Sequence, residues 1–115
     1  MGMDQEFHID EWSDGDVPVI AVTGEIDVAT APQLRESLQS VIATGKTTIV
    51  LDLLGVTFLD STALGVLVGA LRRCRESGGD LQVVVAESRI LKIFEITGLT
   101  SVFTIVDSVS AAGSS

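Results

Sequence analysis

Two hydroxyl side chains follow an aspartate in residues 58–62, Phe-Leu-Asp-Ser-Thr, at the end of an apolar stretch. A serine in such a place can act as a nucleophile, if a base activates it, or it can accept a phosphoryl group. The base is missing from the pattern, because the single histidine, His8, falls in the first predicted strand. No Gly-x-Ser-x-Gly elbow surrounds Ser61 either. The sequence therefore predicts no catalytic residue and argues against a hydrolase.

Ser61 is predicted to lie in the first turn of a helix that follows an apolar strand. The first backbone N–H groups of a helix have no acceptor within it, and the helix dipole favours negative charge there. A phosphate on Ser61 would therefore be compatible with the fold. Asp60 followed by Ser61 and Thr62 is equally typical of an ordinary helix N-cap, and one segment can serve both roles. A bound nucleotide is not expected, because no glycine-rich loop with a lysine precedes the helix.

Composition limits the classes of function. The 115 residues suit one domain with one core. Sixteen acidic and seven basic residues give a net charge of −9, which opposes binding of nucleic acid. The acids crowded into residues 4–16 are expected to form a solvated face. The clearest basic cluster is Arg72, Arg73 and Arg75 in one helical stretch.

A lone cysteine, Cys74, excludes an internal disulfide and lies on the apolar stripe of its predicted helix, which favours a buried position. One histidine and no His/Cys cluster leave no ligand set for a metal. The apolar run at 49–56 contains Asp52 and is too short to cross a bilayer. No signal peptide opens the sequence, so we expect a soluble cytoplasmic protein with no membrane partner and no cofactor.

Short β-type runs alternate with amphipathic helical runs, which predicts an α/β fold in the order ββαβαβαβ. The sheet should be mixed and mostly parallel, with helices packed against it. We expect a single domain over 1–115, with its core in 7–106 and a frayed tail at 107–115 that forms a helical turn over 107–112. The predicted strands are 7–12, 17–23, 47–53, 81–86 and 102–106, and the predicted helices begin at residues 31, 61 and 88.

Local signals set the boundaries of these elements. Asp14-Gly15 predicts a hairpin turn between the first two strands. Thr30, followed by Pro32 and Gln33, predicts a capping box at the start of the first helix. Little alternation in the third strand favours a central position covered on both faces.

Two loops should lie at the carboxyl edge of the sheet, where parallel α/β folds place their functional residues. They are 24–27, Gly-Glu-Ile-Asp, after the second strand, and 57–62 after the third. We expect them to be neighbours. Glu25 and Asp27 fit either a plain solvated loop or residues that form an interface or position a kinase.

Three segments resemble the STAS domain of bacterial anti-sigma factor antagonists. Residues 58–69 are similar to the phosphorylation segment of that family, 23–27 to its early loop and 94–99 to its late helix end. The resemblance covers residues 7–106. Ala63 departs from the pattern, which has glycine at this position, and alanine stiffens a helical turn.

The resemblance implies that Ser61 is phosphorylated by a partner that is both anti-sigma factor and serine kinase, with Thr62 as a secondary acceptor. A phosphatase would reset Ser61. The unphosphorylated chain would bind the anti-sigma factor and so free a sigma factor. The implied partner-binding residues are Gly24, Glu25, Asp27, Asp60, Ser61, Thr62 and Leu64. The alternative is a STAS protein-interaction module of a stress-signalling scaffold or of a lipid-transport complex.

Overall fold

The chain alternates strands and helices in a computed structural model that describes residues 6–46, 48–86 and 88–109. The order of elements is the predicted ββαβαβαβ, with one short 3₁₀ turn at Leu99–Ser101 before the last strand. The strands are β1 His8–Asp14, β2 Val17–Ile26, β3 Thr48–Leu59, β4 Asp80–Val84 and β5 Thr104–Val106, and the helices are α1 Ala31–Ala43, α2 Ser61–Glu76 and α3 Ser88–Ile96.

The five strands form one sheet in the order β1-β2-β3-β4-β5. β1 is antiparallel to β2, and every later pair is parallel, which confirms the mixed, mostly parallel sheet. β3 lies at the centre. Its consecutive residues Ile49, Val50 and Leu51 are all buried, as the lack of alternation predicted.

Most of the core lies between the sheet and the helices. Ile20, Leu51 and Val83 occupy one row across β2, β3 and β4, and all three are fully buried. Leu38 of α1 and Leu67 of α2 belong to the same cluster. A second, small cluster contains Val19, Val50 and Val84, whose positions alternate with those of the first row.

α2 buries one stripe of its surface, as its 3.6-residue apolar spacing predicted. Leu67, Leu71 and Cys74 are buried on this stripe. The structure therefore confirms that Cys74 is part of the core. Burial raises the pKa of its thiol, and the negative charge of Asp80 raises it further.

Several predicted boundaries were wrong. β2 extends to Ile26 and β3 to Leu59, so residues predicted as loops are strand residues. The last strand begins at Thr104, because a 3₁₀ turn takes up the preceding residues. The predicted hairpin is present, but its connection is shorter than the predicted residues 13–16: β1 runs to Asp14, and the turn is Gly15 and Asp16, with Gly15 at φ 66°. Residues 110–115 of the predicted tail lie outside the described residues.

Among the helices described, none combines the length and the apolar character needed to cross a membrane.

Candidate functional site

The carboxyl ends of β2 and β3 lie side by side. Ile26 pairs with Leu59, and the next amide, that of Asp60, donates a hydrogen bond of 3.2 Å to the carbonyl oxygen of Ile26. This bond joins the two segments that the topology predicted to be neighbours. The prediction that the two segments are neighbours is therefore confirmed. The loop predicted at 57–62 is shorter than expected, because only Asp60 separates the end of β3 from the start of α2.

Asp60 is the N-cap of α2. It has extended backbone angles, φ −108° and ψ −176°, and its carboxylate oxygen Oδ1 accepts a hydrogen bond of 2.9 Å from the amide of Ala63. Its carbonyl oxygen accepts from the amide of Leu64 at 3.1 Å. Both acceptors satisfy donors that would otherwise be free at the start of the helix. The helix therefore begins at a fixed point.

Ser61 is the first residue of α2, and its side chain and that of Thr62 are exposed. The hydroxyl of Ser61 donates to and accepts from no residue in the described part of the chain. The amides of the first turn point toward this end of the helix, where the dipole is positive. A small neutral hydroxyl thus stands in a place that favours an anion.

Asp27 closes the turn between β2 and α1. Its Oδ1 accepts from the amides of Ala29 at 2.9 Å and Thr30 at 3.1 Å, and its carbonyl accepts from the amide of Ala31 at 2.7 Å. The hydrogen bond from the Thr30 amide is the largest of the effects that hold the pKa of Asp27 below its ordinary value of 3.8. Asp27 therefore carries a negative charge within the carboxyl edge at neutral pH.

Thr30 occupies the predicted N-cap position of α1, but the predicted capping box is wrong. Thr30 has helical backbone angles, and its side chain makes no capping hydrogen bond. Its hydroxyl instead donates to the carbonyl oxygen of Glu25 at 2.9 Å and accepts from the amide of Asp27 at 2.9 Å. The side chain of Asp27, three residues earlier, bonds the amides of Ala29 and Thr30 before the helix, because an aspartate readily bonds to backbone two or three residues ahead. Within α1, the carbonyl oxygen of Asp27 accepts from the amide of Ala31.

Gly24 and Glu25 are strand residues rather than loop residues. Gly24 has φ +93°, and a Cβ there would lie 2.9 Å from the Cα of Phe7. Glycine is therefore needed at this position for the backbone conformation and for the close approach of the chain before β1. Glu25 is exposed and pairs with Phe58 of β3.

Leu64 is half-buried and packs against the core, so it supports the start of α2 as well as reaching the surface. Two apolar side chains at this edge were not singled out from the sequence. Val28, next to Asp27, is 71% exposed, and Phe58, two residues before Asp60, is 45% exposed. Large apolar residues beside acids in a turn or at a strand end were the available signal. Both residues lie near the carboxyl ends of β2 and β3, on either side of their last paired residues Ile26 and Leu59.

The described residues contain no group of three or more His, Cys, Asp or Glu side chains placed to hold a metal ion.

A family model described as the STAS domain matches residues 11–112. The anti-sigma-B factor antagonist of Listeria monocytogenes is 38% identical over 86 residues, which are 75% of this chain and 75% of that protein. A solved anti-sigma factor antagonist from Mycobacterium paratuberculosis has a TM-score of 0.86 at 28% identity and covers 93% of this chain and 91% of its own. Bacillus SpoIIAA in its phosphorylated form has a TM-score of 0.70 at 23% identity, covering 94% and 97%, and shares the fold.

The sheet, its helices and these matches define a domain of the STAS class. Within that class, the Listeria relative and the Mycobacterium structure are both anti-sigma factor antagonists. The chain belongs to the STAS-domain family of anti-sigma factor antagonists.

Proposed function

We propose that this chain is an anti-sigma factor antagonist whose partner affinity is switched by phosphorylation of Ser61. The unphosphorylated form binds an anti-sigma factor that is also a serine kinase, and the sigma factor is thereby released. Phosphate on Ser61 blocks this binding, and a phosphatase restores it. The observation that carries the proposal is the exposed, unpaired hydroxyl of Ser61 at the capped first turn of α2.

The switch acts through charge. A phosphoserine carries about −1.5 to −2 charges at neutral pH. It would stand next to the carboxylate of Asp60, on the edge that also holds ionised Asp27. Like charges forced together in an interface cost several kcal/mol, and each ~1.4 kcal/mol is a factor of about ten in affinity. The partner would therefore dissociate.

The fold itself can accept the phosphate. The N-terminus of a helix stabilises a nearby anion by about 0.3–1 kcal/mol, and the Asp60 cap takes only the amides of Ala63 and Leu64. Asp60 keeps its bond to Ala63 because its cap does not involve the Ser61 hydroxyl. Phosphate on Ser61 therefore stabilises the free chain but destabilises its complex with the partner. No large conformational change is required. SpoIIAA, which shares the fold, is described in a phosphorylated form.

The partner-binding surface is proposed to be the carboxyl edge around Ser61. Its centre is Asp60, Ser61 and Thr62, and Glu25 and Asp27 lie on the neighbouring segment. Gly24 and Leu64 act beneath it, Gly24 by letting the chain before β1 approach and Leu64 by packing the start of α2 against the core. Exposed Val28 and Phe58 add apolar contact area. A surface of this kind binds a protein and carries out no catalysis.

Phosphorylation by a candidate anti-sigma kinase with ATP, mapped by mass spectrometry, tests the modification. We expect phosphate on Ser61 of the unmodified chain and of Thr62→Ala, and at most a slower labelling of Thr62 in Ser61→Ala. Labelling of Thr62 alone would show that Thr62, and not Ser61, is the phosphorylated residue. No labelling with any cognate kinase would contradict the proposal.

Binding of the same partner to four forms of the chain tests the consequence. Unmodified chain and Ser61→Ala should bind alike, whereas phosphorylated chain and Ser61→Glu should bind at least about a hundredfold more weakly, since several kcal/mol are lost. Equal binding of Ser61→Glu and Ser61→Ala would place Ser61 outside the interface. A chain that binds no anti-sigma factor in any form would favour the scaffold module instead.

A further inference from the structure

A groove of about 310 Å³ runs between α1 and α2, on the helical side of the molecule. Its floor is apolar, with Leu38 and Ile42 from α1 and Val66 and Ala70 from α2. Side chains usually fill the space between two packed helices. This groove stays open because α2 has glycine at two of the positions that line it, Gly65 and Gly69. The volume holds a few side chains of another molecule.

Two arginines, Arg35 of α1 and Arg73 of α2, line the groove together with Gln39. With its amide oxygen facing them, Gln39 accepts from Arg35 Nε at 3.2 Å and from Arg73 Nη1 at 2.8 Å. The shared acceptor is neutral, so it leaves both guanidinium charges uncompensated. Neither arginine forms an ion pair with a residue in the described part of the chain, and the pairs His8–Asp10 and Arg75–Asp80 lie elsewhere.

This positive groove is an exception on a chain whose net charge is −9. Carboxylates are absent from the residues that line it within the described part of the chain. Two guanidinium groups that converge on one acceptor prefer a carboxylate to an amide, because charge-assisted hydrogen bonds are about twice as strong as neutral ones. The groove is therefore complementary to an acidic side chain set among apolar ones.

The groove is continuous with the proposed switch site. Thr62, the residue after Ser61, lines it, and Arg73 lies eleven residues further along α2, about 16 Å away at the rise of an α-helix. A partner that covers Ser61 thus has one end of the groove within its footprint. This continuity favours a protein segment over a separate small ligand.

We propose that the groove between α1 and α2 binds an apolar segment of the anti-sigma partner that carries one aspartate or glutamate, whose carboxylate is held by Arg35 and Arg73. The inference rests on the proposed function, because it assigns a second contact to the same partner. The edge around Ser61 then provides the switch, and the groove provides affinity that does not depend on phosphate. Arg35 and Arg73 are exposed in the free chain, and arginines that an interface buries against a carboxylate are typical hot spots.

Matched substitutions test the groove in a binding measurement with an anti-sigma factor that binds the unmodified chain. Arg73→Glu reverses one charge of the groove, and Arg72→Glu makes the same change on the neighbouring residue, which does not line it. Gln39→Glu keeps the side-chain shape and supplies a carboxylate from the chain itself. Its control, Gln33→Glu, adds the same charge on α1 outside the groove.

We expect Arg73→Glu and Gln39→Glu to weaken binding at least about tenfold and the two controls to change it less than about threefold. Thermal unfolding should show all four variants folded, because the positions are exposed or half-buried. A partner variant with its groove-facing acid changed to lysine should recover binding to Arg73→Glu. Recovery would identify the segment directly.

Three results would overturn the inference, and they differ from one another. If the groove variants bind like the unmodified chain while phosphate on Ser61 still abolishes binding, the proposed switch stands and the proposed groove contact is wrong. If the unmodified chain binds no anti-sigma factor, both the proposed switch and the proposed groove contact are wrong. Binding of inorganic pyrophosphate that is lost in Arg73→Glu, with partner affinity unchanged, would make the groove a small-anion site.

Discussion

At the scale of single residues, Asp60 fixes the position of Ser61 by capping α2 through Ala63. Replacing Asp60 by alanine should lower the free energy of unfolding by about 1 kcal/mol, the usual loss for an N-cap. Asp60→Ser should retain most of that free energy, because a serine hydroxyl can accept the same bond. Urea unfolding followed by circular dichroism measures the difference. Equal stability of the alanine and serine variants would mean that the cap does not hold the helix start.

Asp27 predicts a pH dependence. Its pKa is below 3.8 in the folded chain, so its carboxylate stabilises the fold fully at pH values above the unfolded pKa. That contribution is lost as the pH falls through the lower folded pKa. Asp27→Ala should therefore have a lower Tm than the unmodified chain at pH 7, and the difference should shrink as the pH falls below about 3.8.

A second acid on the same edge tests whether the loss of stability comes from the Asp27 turn or from the loss of any negative charge there. Glu25 is exposed on the same edge and takes no part in the Asp27 turn through its side chain. Glu25→Ala should have a Tm at pH 7 close to that of the unmodified chain. An NMR titration should place the midpoint of Asp27 below 3.8; a midpoint at or above this value would contradict the hydrogen-bond account.

At the scale of elements, the junction of β2 with β3 depends on the small size of Gly55. A Cβ at that position would lie 2.6 Å from Cγ2 of Thr23, which is closer than real carbon atoms approach. Gly55→Ala should therefore cost about 1–3 kcal/mol of unfolding free energy. Since Thr23→Ser removes the obstructing methyl group, the double variant should lose less than the sum of the two single changes. Additive losses in urea unfolding would show that the clash is relieved elsewhere.

A glycine-to-alanine change in α2 should have the opposite effect on the free energy of unfolding. A Cβ on Gly65 would meet no atom within 4 Å, so Gly65→Ala brings no clash and removes a poor helix former. The gain should be up to about 1 kcal/mol in unfolding free energy. Ala63→Gly is the reverse change in the same helix, at a fully buried position, and should destabilise. A loss of stability in Gly65→Ala would mean that the groove cannot accommodate even a methyl group.

Sequence patterns predicted the order of elements and the place of Ser61 because both follow from local signals. An apolar strand followed by Asp-Ser-Thr needs only its own residues to define a helix start. The ends of β2 and β3 were missed because Gly24 and Gly55 look like strand breakers, and only the register of the neighbouring strands keeps them in the sheet. The role of Thr30 depended on where Asp27 folds. The groove was not predictable, since it arises from two helices that are distant in sequence.

At the scale of the whole molecule, acidity is the dominant electrostatic property. A net charge of −9 attracts a basic partner from a distance, and salt screens that attraction. The positive groove between Arg35 and Arg73 is a local feature inside this field, so it acts only after the two surfaces meet. Long-range charge should therefore govern the rate of association, and the groove should govern the rate of dissociation.

Stopped-flow binding of the unmodified chain to its anti-sigma partner tests this division. For a partner of net positive charge, raising NaCl from about 50 mM to about 500 mM shortens the screening length roughly threefold and should slow association at least about tenfold. The hairpin-turn variant Asp14→Asn with Asp16→Asn, at the opposite end of β2 from Asp27, should slow association only modestly and leave dissociation unchanged. Arg73→Glu should instead speed dissociation. Association that is independent of salt, or Arg73→Glu acting on association alone, would contradict the assignment of the two roles.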